Sequence, residues 1–259
     1  MTNSLTIQLL NETLSLPDIT IDQAMDIALI PQDFNEKRLS AMITHLSGDA
    51  ELAGRLTAHE RYYILLSHQS VMQSTYSEEV GNDDYLLNTV QSNVPQNARV
   101  GELLIHHLRG AHVCVLEGIC ENVYDWLRGQ MACQLSGSLA TSIGGDDDAF
   151  VWDELTAGMT DAELKDVIQA RVSLIGSLST DQFNALVEHY NVGVNQLEHF
   201  VSLGTDNSGL TVIKQGGDGA GMPARFLTLD TLQGAALTLA ECLDERRFDH
   251  DGTRQNELA

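Results

Sequence analysis

The sequence predicts a mainly helical α+β fold, with a helical core and a small β element, a hairpin near the C-terminus. Three observations favour this fold class. Apolar residues recur every three or four positions over several long stretches, as in amphipathic helices. Three Ser/Thr-x-x-Glu/Gln motifs, which begin at Thr57, Thr160 and Ser179, are typical of helix starts. Alternating apolar residues between positions 210 and 229 flank a glycine-rich segment and indicate a hairpin.

The first elements belong to an N-terminal helical region, residues 1–97. Residues 5–9 alternate in polarity and are predicted to be extended. Thr20 is positioned to cap a helix that ends near Pro31, because threonine accepts hydrogen bonds from free amides at a helix start and proline interrupts helices.

Two more helices follow in this region. One is expected from Phe34 to Leu46, with Gly48 positioned to end it in the left-handed conformation. The next is opened by the Thr57 motif and carries an amphipathic stripe. Residues 74–97 are polar and rich in turn-forming residues, so they are predicted to form an exposed insertion or linker.

Residues 98–205 are predicted to form a central helical core. Residues 101–107 are expected to be a strand, and the apolar spacing from 108 to 135 predicts one long buried helix. Gly118 and Gly129 each cost this helix about 1 kcal/mol relative to alanine, so close packing against a neighbour is expected at both.

The rest of the chain is predicted to contain two capped helices, which start at Thr160 and Ser179, and then the β-hairpin. Residues 206–247 are assigned to the hairpin and a final helix, with the glycine-rich loop 216–221 at the hairpin tip. The polar tail, residues 248–259, is expected to be disordered.

The charge excludes some classes of partner. The chain has 37 acidic and 14 basic residues and a formal net charge of -23. Nucleic acids and anionic membrane surfaces are repelled by such a field. No stretch approaches the roughly 18 apolar residues of a membrane span, and the N-terminus lacks a signal-peptide pattern. We therefore expect an intracellular, soluble protein with no nucleic-acid partner and no membrane insertion.

The segment from His106 to Cys114 is the strongest candidate for metal binding, because it also contains His107 and His112. Metal ligands must converge on one point. If this region is helical, however, Cys114, Cys120 and Cys133 fall on different faces of the helix. Buried cysteine that packs as a small apolar side chain explains the pattern better. We therefore expect no metal site in this segment. A small metal-dependent hydrolase that uses this segment remains an open alternative.

Other motifs fit known sites less well. His59 begins an apparent zinc-protease motif, but Tyr63 stands where the second histidine is required. The glycines of 216–221 are followed by Pro223 and a strand-like run, whereas a phosphate-binding loop leads directly into a helix. The acidic run at 146–148 lacks the spaced ligands of a calcium loop and is expected to be solvated.

Two aromatic and arginine groups are the candidate interface, because Trp, Tyr and Arg dominate interface energies. In the alternative interpretation, the aromatic rings pack in the core, and the arginine stems lie along the core surface with their charged groups in solvent. The candidates are Arg61, Tyr62 and Tyr63 at a helix start, and Tyr124, Trp126 and Arg128 in the predicted long helix.

Several segments resemble a known family. Residues 27–31 (IALIP), 36–39 (EKRL) and 56–66 (LTAHERYYILL) are similar to the opening of tailed-bacteriophage baseplate hub proteins of the T-even type. Residues 121–132 (ENVYDWLRGQMA) resemble the tryptophan-centred helix of the same family. The resemblance spans about residues 15–140. It implies a virion or tail-assembly protein that has neither cofactor nor catalytic residues.

The expected function is thus a structural or assembly component of a bacteriophage tail baseplate, made in the host cytoplasm and located in the virion. It acts by docking to other tail or baseplate proteins, with copies of the chain itself among the candidates. Two alternatives remain open: a transient tail assembly chaperone that is not retained in the virion, and the small metal-dependent hydrolase.

Overall fold

In a computed structural model of the protein, the structure describes residues 5–73, 82–87, 93–139, 151–155 and 158–229. The fold is mixed α+β, with helices predominating, and confirms the predicted fold class. Its helices are α1 Ile21–Ala28, α2 Asn35–Ser47, α3 Leu52–Arg55, α4 Ala58–Gln73, α5 Gly110–Glu117, α6 Val123–Gln134, α7 Asp161–Gly176 and α8 Thr180–Leu197, with a 3-10 turn at Asn82–Tyr85. Its strands are β1 Leu5–Gln8, β2 Thr13–Leu16, β3 Asn97–Val100, β4 Leu103–His106, β5 Leu135–Ser138, β6 Val151–Trp152, β7 Ser202–Asp206, β8 Gly209–Ile213 and β9 Pro223–Ala224.

The helix starts predicted from capping residues are confirmed. The Thr57 side chain accepts the Glu60 amide at 3.1 Å, and a Glu60 carboxylate oxygen accepts the Thr57 amide at 2.9 Å. The same reciprocal bonds occur at Thr160 and Ser179, and Thr20 caps α1 as expected. These motifs act within one turn of helix, so the local sequence determines them.

The first two helices end as predicted, whereas the first strand has an unpredicted partner. Gly48 has a φ of 71°, and its amide donates to Thr44 O at the end of α2. Strand β1, which was predicted, pairs antiparallel with β2, which was not. The pairing begins at Leu5 and Leu16 and forms a two-stranded sheet.

The single long helix predicted from 108 to 135 is wrong, because α5 and α6 are separate helices. Helix α5 ends at Gly118, and the Asn122 side chain starts α6 by accepting the amides of Tyr124 and Asp125. Both helices pack on the core, so their apolar spacing continues across the break.

The two glycines of this region have different roles. At Gly129 a Cβ would lie 2.4 Å from Leu116 Cδ2, so the expected close packing occurs there. At Gly118 the nearest atom to such a Cβ is the Val115 carbonyl oxygen, 3.5 Å away, and the residue is a helix end instead.

The central sheet is antiparallel, with the order β3-β4-β5-β6. Strand β4 confirms the strand predicted at 101–107, and Ile105 on it pairs with Ala98 and Leu135. Helix α8 lies against this sheet: a Cβ at Gly193 would be 2.6 Å from Ile105 Cδ1. Strand β5 directly follows α6, so the chain passes from this helix straight into the sheet.

The predicted C-terminal hairpin needs a correction. A tight hairpin joins β7 to β8, and β9 adds only two residues to β8 beyond the glycine-rich loop. The turn is fixed by the Ser208 amide, which donates to Asp206 Oδ1 at 2.7 Å, and by Gly209, whose φ is 122°. Strand β7 contains glycine, threonine and aspartate, so its sequence lacks the alternation that marks a strand.

One hydrophobic cluster includes buried residues from each of the regions 1–97, 98–205 and 206–247. The division into those regions remains a prediction. The final helix, the tail 248–259, the acidic run 146–148 and most of the predicted insertion 74–97 lie outside the described residues. The described part of that insertion packs on the rest of the chain, through a bridge between Leu86 and Val201.

Candidate functional site

Arg61 and Tyr62, the first predicted interface group, lie in the interior. Arg61 is 0 % exposed, and its Nη2 pairs with Glu36 Oε2 at 3.0 Å. The Tyr62 hydroxyl donates to the other oxygen of Glu36 at 2.6 Å. Burial raises the pKa of Tyr62 well above its ordinary value. This corrects the expectation that the two side chains are surface anchors.

The same guanidinium connects three helices. Arg61 donates to Ser40 Oγ on α2 at 2.9 Å, and to the carbonyl oxygen of Ala53 on α3 at 2.8 Å. Helix α5 begins against this network, since a Cβ at Gly110 would lie 1.9 Å from the Ala53 carbonyl oxygen. A buried charge tolerates such surroundings only when it is paired and hydrogen-bonded, as this one is. The buried Arg61–Glu36 pair therefore has a structural role.

Tyr63 is partly buried beside an unusual backbone position. Its ring stacks on Phe200, with centroids 4.5 Å apart and planes 6° apart. Phe200 has a φ of 58°, which makes it the one non-glycine residue with positive φ in the described ranges. Left-handed backbone is costly for an aromatic residue, so packing against Tyr63 helps to hold it. The Tyr63 ring is thus engaged by Phe200 of the same chain.

The second predicted group, on α6, divides between core and surface. Trp126 is 2 % exposed and lies against the β7–β8 turn, where a Cβ at Gly209 would be 3.0 Å from its Cζ2. Its predicted alternative role in the core is therefore confirmed. Tyr124 is 73 % exposed, and Arg128 is partly exposed and pairs with Asp125 at 2.6 Å. Tyr124 and Arg128 remain predicted interface residues.

The segment from His106 to Cys114 directs its polar atoms to separate partners. They are His106 Nε2 with Ser136 Oγ at 2.7 Å, His107 Nε2 with Pro95 O at 2.9 Å, His112 Nδ1 with the Arg109 amide at 3.3 Å, and Cys114 Sγ with Ser40 Oγ at 3.2 Å. Within the described ranges, no group of three or more His, Cys, Asp and Glu side chains is placed to hold a metal ion.

Three histidines that the sequence analysis did not group come together in the core. The His199 ring lies 4.6 Å from that of His59 and 5.1 Å from that of His107, centroid to centroid. Its Nε2 is 3.0 Å from Thr57 Oγ1. His59 lies on α4, His107 directly follows β4 and His199 follows α8, so no local motif could reveal the cluster. The strand–helix arrangement alone brings them together.

Burial dominates the electrostatics of this histidine cluster (His59, His107 and His199). It lowers the pKa of His199 to about 4, and lowers those of His59 and His107 as well. The Nδ1 atoms of His59 and His107 are buried without a hydrogen-bond partner. The three imidazoles are therefore mostly neutral at pH 7, and the second proton that would charge a ring is disfavoured.

The glycine-rich loop 216–221 joins β8 to β9, as a hairpin loop was expected to do. Lys214 pairs with Asp84 at 3.1 Å. The amides of Gln215 and Gly216 donate to the Asp84 carbonyl oxygen at 2.6 and 3.2 Å. These contacts fix the start of the loop to the 3-10 turn.

An apolar surface on α1 was also missed. Ile21, Met25 and Leu29 are 65, 42 and 81 % exposed, while Ala24 and Ile27 of the same helix are buried. A spacing of four residues places Ile21, Met25 and Leu29 on one side of the helix. The spacing is visible in the sequence, but Ala24 and Ile27 already account for an amphipathic helix, so the pattern alone does not mark a second apolar side.

Comparisons with protein-family models, curated proteins and solved structures give no match. No helix in the described ranges is both long enough and apolar enough to cross a membrane. Two exposed features bear on function: the α6 surface around Tyr124 and the apolar side of α1.

Proposed function

We propose that the chain is a structural or assembly component of a bacteriophage tail baseplate, and that it acts by docking to other tail or baseplate proteins. The resemblance of residues 27–31, 36–39, 56–66 and 121–132 to baseplate hub proteins supports this role. These segments form the end of α1, part of α2, the first half of α4 and most of α6. On this proposal the protein is made in the host cytoplasm and is located in the virion.

The observation that carries the proposal is the exposed ring of Tyr124. It lies on the helix that resembles the family's tryptophan-centred helix, and a large exposed aromatic side chain is the type that anchors interfaces. Aromatic side chains exclude water over a wide area while losing few rotational degrees of freedom.

The helix holds this ring in place. The Asn122 cap fixes the first turn of α6, and the buried Trp126 fixes its orientation. One turn later, Arg128 pairs with Asp125, and its Nε donates to the Tyr124 carbonyl oxygen at 3.4 Å. A surface that is already ordered loses less entropy when a partner binds.

We expect Tyr124→Ala to impair assembly without unfolding the protein. Removal of an exposed ring changes folding stability by about 0.5 kcal/mol or less, whereas loss of an interface anchor costs about 2 kcal/mol or more. The number of chains per particle should therefore fall at least roughly tenfold, as measured by quantitative mass spectrometry of phage carrying the variant.

Val192→Ala is the matched control, because Val192 is a half-exposed apolar residue on α8. It should leave incorporation unchanged. Normal incorporation of Tyr124→Ala, at normal melting temperature, would exclude Tyr124 as an anchor.

A further inference from the structure

Helix α1 has an exposed apolar stripe that the proposed role of Tyr124 does not use. The α1 stripe consists of Ile21, Met25 and Leu29, which are spaced four residues apart over about 12 Å of helix. Single exposed apolar side chains are common on protein surfaces, whereas a contiguous row of them indicates an interaction site.

The α1 stripe is presented by an ordered helix. Thr20 and Gln23 form a capping box at its start, and the opposite side is anchored by the buried Ala24 and Ile27. At its end, the Arg38 side chain donates to the Ile30 carbonyl oxygen at 2.9 Å. The stripe is therefore already formed before a partner binds.

The charged residues within α1 and next to it along the chain have one sign. Residues 18–33 contain four aspartates and no lysine or arginine. All four, Asp18, Asp22, Asp26 and Asp33, are exposed. The next two basic residues are engaged within the chain: Lys37 lies over the Phe34 ring at 4.3 Å, and Arg38 bonds to Ile30.

We infer that the α1 stripe binds an amphipathic helix of another protein, with an apolar centre and a rim of lysine or arginine. Apolar contact to Ile21, Met25 and Leu29 provides the affinity, and the aspartate rim selects the basic partner. A second copy of this chain fits poorly, because it would bring the same aspartates and another charge of -23 to the contact. The inference rests on the proposed docking function and names the chemistry of one partner.

Two synthetic 18-residue helical peptides test this inference on the full-length chain. One has leucine on one face and lysine on the other, and its counterpart has glutamate in place of lysine. We expect the leucine–lysine peptide to bind, with amide chemical-shift changes concentrated in residues 18–33. Leu29→Ser should weaken that binding at least tenfold in fluorescence anisotropy. Val192→Ser, which removes a half-exposed apolar side chain on α8, should change it less than twofold.

Three results would overturn the inference. Equal binding to wild type and Leu29→Ser would show general attraction to an acidic protein. Equal or tighter binding of the leucine–glutamate peptide would exclude selection for a basic rim. A dimer in light scattering that Leu29→Ser converts to a monomer would identify a second copy as the occupant. The peptide assay needs no phage particle, so a negative result leaves the baseplate proposal to be decided by particle composition.

Discussion

Acidification from pH 7 to about pH 4 is expected to remove most of the folding stability. Burial lowers the pKa of six histidines: His59, His68, His106, His107, His112 and His199. Because the unfolded chain accepts protons near pH 6.5 and the folded chain does not, stability is complete above pH 6.5 and falls as the pH drops.

The size of this effect follows from the two clearest groups. Burial lowers the pKa of both His68 and His199 to about 4, and each such shift corresponds to about 3 kcal/mol. One carboxyl opposes them, since burial raises the pKa of Glu117 to about 7 and its protonation favours the folded state. Together these three groups leave a net loss of about 3 kcal/mol. His112, whose pKa burial lowers to about 3, adds about 3 kcal/mol more at pH 4. The total reaches the lower end of the range of about 5 to 15 kcal/mol by which an ordinary domain is stable.

Urea denaturation at pH 7, 5.5 and 4.5 measures this loss directly. His68→Leu should reduce the pH dependence, because both ring nitrogens of His68 are buried without a hydrogen-bond partner and leucine loses no bond there. His45→Gln is the control, since the His45 side chain is partly exposed beside Asp26. Stability that is constant between pH 7 and 4.5 would show that the folded chain protonates its histidines freely.

Arg61→Met is expected to cost about 3 to 5 kcal/mol of unfolding free energy at pH 7. The variant leaves the Glu36 carboxylate buried, with the Tyr62 hydroxyl as its remaining side-chain donor. It also removes the donor to the buried Ala53 carbonyl oxygen. A buried charge without its partner is far more costly than a lost surface ion pair.

Arg55→Met provides the comparison. Arg55 pairs with Asp49 and Glu51, but its side chain is half-exposed, so we expect a loss of about 1 kcal/mol or less. The double variant Arg61→Met with Glu36→Gln should recover part of the larger loss, because no unpaired charge remains. Equal losses for Arg61→Met and Arg55→Met in chemical denaturation would disprove the structural role of the buried pair.

Local motifs were predicted well from the sequence. The boxes at Thr57, Thr160 and Ser179 and the helix end at Gly48 each depend on hydrogen bonds within a few residues. Strand β4 was also predicted, from the short apolar run within residues 101–107. These features need no knowledge of the rest of the fold.

Features that depend on distant residues could not be read locally. The break between α5 and α6 was missed because both helices face the same core and keep the same apolar period. Arg61 resembled an interface anchor because its buried partner, Glu36, lies 25 residues away. The histidine cluster joins residues up to 140 positions apart, from His59 to His199. Of the six predicted interface residues, the exposed Tyr124 is the one that most clearly keeps the geometry of an anchor.

The central claim is that this chain docks into a phage tail baseplate and stays there. Quantitative mass spectrometry of purified particles, from a phage that encodes the chain, tests it most directly. We predict a fixed number of copies in every particle, retained when baseplates are separated from the rest of the tail. A chain that is abundant in infected cells and absent from finished particles would contradict retention and favour the transient chaperone. Absence from tail-assembly intermediates as well would contradict the docking role itself.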